Sequence, residues 1–419
     1  MKKITYLSLL LALIVSMLSG CGEDRTYEYL ELTEENQWTY SKMQEVYLWR
    51  DKIKEPSRTT FFSKPSKFFS TILYSSDKSS FFTDTISAGS YGLTFAVMRN
   101  PIDGPPSKVY ALVLMVDPGS PADIAGVKRG MWISSVGGAA LTINRYSSLE
   151  SGGNTTLATE YIDYDDDSQK YYWVTGETLQ MSASASYNEP AIYLDSIYTM
   201  RSKNIGYLVL NNFDGDNFVE KTQQILLRFA ESNVDNVVLD LRYCSGGSIA
   251  NAAALASSFV APELYDSTFC KLVNIDNEAD TTYRYTEQLT TLCEKKLYII
   301  TGTKTAGAAE FFTAAINKAR TMYDVMTFGE KSSGVNTITR RYDSPYGFAI
   351  NPVTNFVALA DGELFSAITP DYPMNEQQQI ANVHPLGSEQ EYILYNVLSY
   401  SVNGTLPTGE SNTIAVARH

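Results

Sequence analysis

The second half of the chain alternates short apolar runs with segments of helical periodicity. From residue 191 onward, three apolar runs predict strands, and each is followed by a segment with apolar residues at helical spacing. The strands are NIGYLVLNNF, VDNVVLDLRY and KKLYIITG, and the helices are TQQILLRFAES, SIANAAALASSFV and AAEFFTAAINKAR. The middle strand is almost continuously apolar, as is typical of a strand buried on both faces. This order predicts an α/β domain at 191–405 with a mixed sheet and crossover helices.

The 419-residue chain is long enough for further domains before this one. Residues 31–86 contain ENQWTYSKMQEVYLW, whose apolar spacing predicts a small helical domain. Residues 87–190 contain short runs rich in β-branched and aromatic residues between Gly and Pro turns, which predicts a β-rich domain. In that domain TLQMSASAS is the last predicted strand, after a polar stretch that contains DYDDDSQ. The fold class is therefore multidomain α+β and α/β, with a tail at 406–419.

The N-terminus has the features of a secretion signal. Lys2 and Lys3 precede an apolar run that ends in the small-residue sequence LSGC, with Cys21 as its last residue. LSGC resembles a bacterial lipobox, so residues 1–20 are predicted as a signal peptide, Cys21 as the lipid anchor and 21–30 as a tether. The acidic residues after Cys21 resemble the export signal of Bacteroides-type surface lipoproteins. We therefore expect a cell-envelope lipoprotein of the outer membrane, on its periplasmic face or the cell surface; an ordinary signal peptide or uncleaved anchor is the alternative.

Charge and composition exclude several classes of partner and cofactor. The net charge of −14 would repel a polyanion, so no nucleic-acid partner is expected. Hydrophobic residues make up 44 % of the chain, enough for packed cores. Apart from Cys21 there are three cysteines, and the two histidines are too few for a His-rich metal centre. We expect no metal and no cofactor, and the sequence leaves the oligomeric state open.

Two motifs in the β-rich domain resemble a PDZ domain. YGLTF, with Tyr91, Gly92, Leu93, Thr94 and Phe95, is followed by GSPADIAGVKRGMWISSVGG. In that fold a glycine-containing loop receives the C-terminal carboxylate of a peptide, which adds as an extra strand beside the loop's own strand. Glycine suits such a loop because it adopts positive φ. The resemblance implies that these five residues bind peptides or protein C-terminal tails; a PDZ-like spacer without a ligand is the alternative.

VVLDLRYCSGGS, at the end of the middle predicted strand, resembles the DLRYNxGG signature of S41 serine peptidases, the tail-specific or C-terminal processing proteases. The resemblance implies a crotonase-like fold and assigns Gly246 and Gly247 to the oxyanion hole, whose N–H groups stabilise developing negative charge. Cys244 stands at the family's Asn position. In the family's SASASE-like turn the nucleophilic Ser lies three residues before Glu; here TAGAAE places Gly307 at that position, and the N–H of Ala308 could serve as a second oxyanion donor. Glycine carries no atom that could attack.

FGEKSSGVNTITRR, residues 328–341, resembles the family segment that carries the general-base Lys. Here Val335 occupies the Lys position and Thr339 the Gln position, and valine accepts no proton. Lys304 and Lys331 lie close in sequence, but an exposed Lys at its ordinary pKa is protonated and a poor base. The segment 350–376 and the final helix HPLGSEQEYILYNVL also resemble the family and support the fold.

These residues leave three hypotheses open. The first is a pseudoenzyme that binds peptides or C-terminal tails without cleavage. The second is an active serine-type endopeptidase with a displaced dyad, in which Ser245, Ser332 or Cys244 attacks and Lys304 or Lys331 is the base. The third is a structural partner subunit of a surface complex. We favour the first because both dyad positions lack a reactive group.

Overall fold

The computed structural model describes residues 26–84, 89–102, 107–276, 278–320, 324–380 and 383–407. The predicted signal peptide, Cys21 and residues 408–419 of the predicted tail lie outside these ranges. The described residues up to 84 form one compact unit together with Thr339–Thr354, and the others form a second. The first helix begins at Thr26, inside the stretch predicted as a tether.

The described residues contain seven α-helices and nineteen strands. The helices are α1 (Thr26–Val46), α2 (Pro65–Ile72), α3 (Pro121–Ile124), α4 (Phe218–Glu231), α5 (Ile249–Ser257), α6 (Ala308–Ala319) and α7 (Tyr392–Asn403). The strands are β1 (Phe81–Asp84), β2 (Leu93–Arg99), β3 (Val109–Val116), β4 (Trp132–Val136), β5 (Ala139–Ala140), β6 (Thr155–Asp165), β7 (Lys170–Met181), β8 (Ile192–Met200), β9 (Lys203–Leu210), β10 (Asn236–Asp240), β11 (Thr268–Val273), β12 (Ala279–Arg284), β13 (Lys296–Thr301), β14 (Val325–Gly329), β15 (Thr337–Thr339), β16 (Tyr342–Asp343), β17 (Phe348–Asn351), β18 (Val353–Leu359) and β19 (Tyr372–Pro373).

The first compact unit combines helices with a small sheet. Helices α1 and α2 bury an aromatic core that includes Tyr47, Phe68 and Phe69. Strand β1 pairs antiparallel with β17, which pairs with β16, so a segment far along the chain completes this unit. The rings of Trp38 and Phe348 meet edge to face at 5.8 Å. The sequence predicted the helices here but not the returning hairpin.

The β-rich module of the second unit is an antiparallel sheet in the order β2-β3-β4-β6-β7, so β2 and β7 are its edges. The polar stretch around DYDDDSQ is the end of the long β6–β7 hairpin rather than a break between strands. The last strand is displaced from the prediction: it starts at Lys170, well before TLQMSASAS begins at Thr178, and it ends at Met181, before SASAS. The reason is packing, because Ile162 and Trp173, which pair across β6 and β7, both pack against the core and continue the ladder through the polar positions.

The α/β domain contains the predicted mixed sheet, in the order β19-β14-β13-β10-β9-β8. All neighbouring strands are parallel except β8, which pairs antiparallel with β9 at the edge. Helices α4, α5 and α6 pack with a second sheet, β12-β11-β18-β15, in the core on one face, and α7 packs on the other. The prediction of a mixed multidomain α+β and α/β fold is therefore confirmed. Within the described ranges no helix is long and apolar enough to cross a bilayer.

Candidate functional site

The turn from β13 into α6 holds Gly307 in a conformation that favours glycine. Gly307 caps the helix with φ of 54° and ψ of −121°. A Cβ built on Gly307 would have the Cα of Gly246 as its nearest neighbour, at 3.6 Å. The turn therefore has room for a side chain, and only the backbone conformation disfavours one.

Glu310 lies one turn into α6, is fully buried and binds the loop after β14. Its Oε2 accepts the N–H groups of Gly307 at 3.1 Å and Val335 at 3.0 Å. Its Oε1 accepts the N–H of Gly334 at 2.6 Å and the hydroxyl of Ser332. Burial raises the pKa of Glu310, while these four hydrogen bonds favour the ionised form. The two predicted dyad positions thus lie side by side around one carboxylate.

The turn after β10 lies against the same place. Gly246 and Gly247 have φ of 125° and 109°, and a Cβ on Gly247 would come within 2.7 Å of the backbone nitrogen of Phe213. A Cβ built on Gly246 would lie 3.8 Å from the nitrogen of Ala308. Gly246, Gly247, Gly307 and Ala308 together are called the amide cradle below. Such a cluster of backbone N–H groups at a helix N-terminus suits a negatively charged oxygen.

Direct hydrogen bonds fix the two glycine turns to each other. The N–H of Ala306 donates to the carbonyl of Cys244 at 3.0 Å, and the hydroxyl of Thr305 donates to the carbonyl of Leu241 at 2.7 Å. Thr305 also accepts the N–H of Gly302 at 2.8 Å. The geometry of the amide cradle is therefore set by the ends of the neighbouring parallel strands β10 and β13.

The groups proposed for a displaced dyad have different surroundings. Cys244 is fully buried, and burial raises the pKa of its thiol to about 12. Ser332 is also buried, donates to Glu310 and accepts the N–H of Ile368 at 2.8 Å. Ser245 and Lys304 are exposed and line one cavity, but no hydrogen bond joins these two described side chains. Of the three hydroxyl or thiol groups, only that of Ser245 is open to a ligand there.

The remaining predicted site residues lie elsewhere. Thr339, at the family's Gln position, ends β15 and is half-buried, and it is not among the described hydrogen-bond partners of Glu310. Lys331 is exposed next to the buried Ser332. The structure thus brings Gly246, Gly307 and Val335 together, whereas Thr339 belongs to the other compact unit.

A groove of about 610 Å³ lies between the edge of the β-rich module and the turn after β10. Leu93, Thr94 and Phe95 of β2 line it, together with Tyr243 and Ser245 from the turn after β10. Because β2 is an edge strand, the side of its backbone away from β3 is not paired in the sheet. The groove therefore combines an open strand edge with Ser245, the residue that precedes Gly246 of the amide cradle.

Two of the five predicted peptide-contacting residues do not line this groove. The ring of Tyr91 is buried in the core of the module, where its hydroxyl donates to the carbonyl of Gly153. Gly92 has φ of 73°, and a Cβ there would overlap the Cβ of Ser120 at 2.2 Å. Both residues shape the turn that starts β2, through aromatic burial at Tyr91 and close backbone packing at Gly92.

A buried ionic network joins the β-rich module to the α/β domain. Arg129 donates to Glu376 at 2.8 Å and to the hydroxyl of Tyr243 at 2.6 Å. Arg242 donates to Glu391 at 2.8 Å and to Asp240 at 2.8 Å. Tyr243 directly precedes the glycine turn, so the network supports both groove and cradle. The sequence alone did not reveal this network, although the DLR of VVLDLRYCSGGS contains two of its members.

The charge balance in this network depends on the ionised form of Glu391. Burial opposes ionisation, but Arg242 and Arg129 outweigh it and hold the pKa of Glu391 at about 2. The same carboxylate accepts the N–H of Leu394 at 2.9 Å and so caps α7. Glu391 thus joins the network to the helix that covers one face of the main sheet.

Comparison with known protein families gives matches in two regions of the chain. The profile "Peptidase family S41" matches residues 204–374, and "Peptidase S41 N-terminal domain" matches residues 34–83. Together the two matches cover more than half of the chain. The first includes the amide cradle, Glu310 and Val335.

Solved structures share this architecture. The "Putative S41 protease" of Bacteroides fragilis NCTC 9343 is 25 % identical, with a TM-score of 0.73, over 88 % of this chain and 97 % of that one. The photosystem II D1 C-terminal processing protease shares the fold with a TM-score of 0.53 at 15 % identity, over 83 % of this chain and 94 % of that one.

A curated relative matches over a shorter stretch. The "Probable CtpA-like serine protease" of Staphylococcus haemolyticus strain JCSC1435 is 27 % identical over 153 residues. This match spans 36 % of the present chain and 29 % of the relative's length.

Proposed function

The chain belongs to peptidase family S41, and on that premise we propose that it binds polypeptides in the groove without cleaving them. The observation that carries the proposal is the pair Gly307 and Val335, held side by side by Glu310. At these two family positions the chain has neither a nucleophilic atom nor an amine. The amide cradle beside them and the open edge of β2 are retained.

The proposed binding mode is strand addition in a PDZ-like manner. An extended peptide pairs with the free edge of β2, and its side chains contact Leu93, Phe95 and the exposed Tyr146. Either an internal extended segment or a C-terminal tail fits this mode. A peptide carbonyl that reaches the amide cradle meets hydrogen-bond donors there and no attacking group, so the complex dissociates intact.

We also propose that the protein acts at a membrane surface, attached through lipid on Cys21. The support is the LSGC sequence after a charged and apolar leader. The test is fractionation of cells that express the full chain or its Cys21→Ser variant. The unaltered chain is expected in the outer-membrane fraction, and the variant is expected to leave it. Equal membrane association of both would exclude the lipid anchor.

Peptide capture is tested by incubating the purified protein with fluorescent extended peptides and reading anisotropy and mass spectra together. Saturable binding with intact peptide is expected. Two further peptides carry N-methyl groups, one on the odd-numbered residues and the other on the even-numbered residues. Only one of the two should lose binding, because strand addition uses every second N–H of the peptide. Steady peptide cleavage would contradict the proposal, and co-purification of one stoichiometric protein partner would favour a structural subunit.

One observation favours a second candidate, a displaced dyad of Ser245 and Lys304, because both line the groove. This candidate predicts stoichiometric labelling of Ser245 by a serine-directed phosphonate probe and loss of cleavage in Ser245→Ala. The binding proposal predicts neither.

A further inference from the structure

The groove carries an unbalanced negative charge. Its lining includes three carboxylates, of Asp117, Glu150 and Glu189, and one cationic side chain, Lys304. In the part of the chain that the structure describes, none of the three acids has an ion-pair partner, whereas other acids such as Asp240 and Glu391 do. A lining with unpaired charge of one sign suits a ligand of the other sign.

Two of these acids lie at the end of the groove where β2 begins. The backbone N–H of Asp117 donates to the carbonyl of Gly92 at 3.0 Å, and the N–H of Tyr91 donates to the carbonyl of Glu150 at 3.1 Å. This is the turn at which a PDZ-like mode would place a C-terminal carboxylate. A carboxylate there would add a negative charge to those of Asp117 and Glu150.

The acids also have few neutralising contacts. Asp117 accepts the hydroxyl of Tyr187, and Glu189 accepts the side-chain amide of Asn212 at 3.4 Å. Burial raises the pKa of Asp117, and burial together with the charge of Asp117 raises the pKa of Glu189. A cation placed between them would relieve this repulsion.

Lys304 is the cationic side chain of the lining. It also lines a neighbouring cavity of about 190 Å³, together with Arg242, Glu330 and Glu376. The groove therefore carries three acids, two of them on segments bonded to the Gly92 turn, and one amine. An extended polypeptide with a basic side chain near the Gly92 turn complements that pattern of charge.

We propose that the groove binds an extended polypeptide segment whose Lys or Arg side chain lies among Asp117, Glu150 and Glu189, in preference to a free C-terminal carboxylate. This inference rests on the proposed peptide-binding function and selects between its two forms. A metal ion is a poorer occupant, because no group of three or more His, Cys, Asp or Glu in the described residues is arranged to hold one.

The test uses the full chain and a short Val/Thr-rich peptide with a fluorophore on its amino terminus. One position is Lys, Gln or Glu, and each peptide is made with a free carboxylate and with an amide. We expect the Lys peptide to bind about tenfold more tightly than the Gln peptide, and the Glu peptide to be the weakest. The preference should shrink at high ionic strength, and each amide should bind at least as well as its acid.

Matched variants locate the effect. Asp117→Asn combined with Glu189→Gln keeps the hydrogen-bonding shape and should abolish the preference for Lys. Glu263→Gln combined with Asp276→Asn changes the net charge equally at exposed positions outside the groove and should preserve it. Melting curves identify a variant that fails to fold. In that case the proposal is tested by the binding of the Lys, Gln and Glu peptides to the unaltered protein.

The outcomes separate this inference from the function on which it rests. Equal binding of the Lys, Gln and Glu peptides would overturn the charge selection and leave peptide binding intact. Tighter binding of the free acid than of the amide would show that the Gly92 end takes a C-terminus, which also overturns it. If no peptide of any charge binds, the proposed function and this inference both fail.

Discussion

The backbone N–H groups of Gly307 and Val335 donate to the same carboxylate oxygen of Glu310, at 3.1 and 3.0 Å. One buried acid therefore positions the two segments that the family resemblance predicts as the dyad positions. Neither position carries a hydroxyl, thiol or amine in this chain. Glu310 fixes the loop after β14 against the start of α6.

Replacing Glu310 should destabilise the protein strongly. Glu310→Ala leaves the partly buried N–H groups of Gly307, Gly334 and Val335 and the buried hydroxyl of Ser332 without their acceptor. We expect a loss of about 3 kcal/mol or more in the free energy of unfolding, measured by urea denaturation. Glu310→Gln keeps one accepting oxygen and should lose less. The exposed control Glu263→Ala should stay within about 0.5 kcal/mol, and an equal loss in both would refute the role of Glu310.

Restoring the dyad should require both changes. Gly307→Ser places a hydroxyl beside Gly246, where a Cβ has 3.6 Å of clearance, and Val335→Lys adds the amine on the neighbouring segment. We expect each single variant to be inactive on a fluorogenic peptide and the double variant to show slow hydrolysis, because the serine needs its base.

The positive φ of Gly307 is expected to make the serine variants less stable than the unaltered protein. A non-glycine residue at φ of 54° should reduce the free energy of unfolding by about 1–2 kcal/mol. Gly307→Ala, with the same cost and no hydroxyl, is the matched control when it is combined with Val335→Lys. Activity in that control would place the nucleophile elsewhere, with Ser245 as the first residue to examine.

The sequence predicted those parts of the fold that depend on local patterns. The alternation of strands and helices specified the mixed sheet, and the glycine turns after β10 and β13 marked the strand ends where Gly246 and Gly307 meet. Family resemblance then paired Val335 with Gly307. The helices, strands and glycine turns are each contained in a short window of residues, so one sequence is enough to detect them, whereas the pairing of Val335 with Gly307 needed the family resemblance.

The parts that were missed depend on contacts far apart in the chain. Strand β1 pairs with β17, as in Phe81 opposite Asn351, and the two-residue strand β16 has too short a pattern to predict. Arg129 reaches Glu376 only through tertiary packing. Tyr91 lies in the predicted ligand motif, and only the structure shows that its ring packs in the core of the module. Sequence position does not determine which way a side chain points.

The depressed pKa of Glu391 should make stability fall in acid. Its pKa is about 2 in the folded state and about 4.5 when unperturbed, so the unfolded chain binds the proton first as pH falls. The contribution of Glu391 is complete above about pH 4.5 and is lost as the pH falls towards 2, and it amounts to about 3 kcal/mol by linkage.

Urea denaturation between pH 7 and 2.5 measures this contribution. Glu391→Gln should be less stable at pH 7, because it leaves Arg242 with one carboxylate fewer, but its stability should fall less steeply with acid than that of the unaltered protein. Parallel pH dependences for the two proteins would show that folding does not lower the pKa of Glu391.

Alanine substitutions at two glycines with nearly the same φ distinguish the cost of backbone strain from the cost of steric overlap near the start of β2. Gly92 has φ of 73° and Gly119 has φ of 74°, so alanine meets the same conformational cost at both positions. A Cβ at Gly119 has no neighbour within 4 Å, whereas one at Gly92 would lie 2.2 Å from the Cβ of Ser120. Gly119→Ala should therefore lose about 1 kcal/mol in the free energy of unfolding, and Gly92→Ala about 3 kcal/mol or more.

Peptide affinity should follow the same order, because Gly92 sets the turn from which β2 and the groove begin. Gly119→Ala is expected to bind the fluorescent peptide normally, and Gly92→Ala to bind it weakly even at temperatures where it remains folded. If both variants lose equal stability and bind equally, close packing at this turn does not determine the groove, because the shared positive φ would then account for the whole effect.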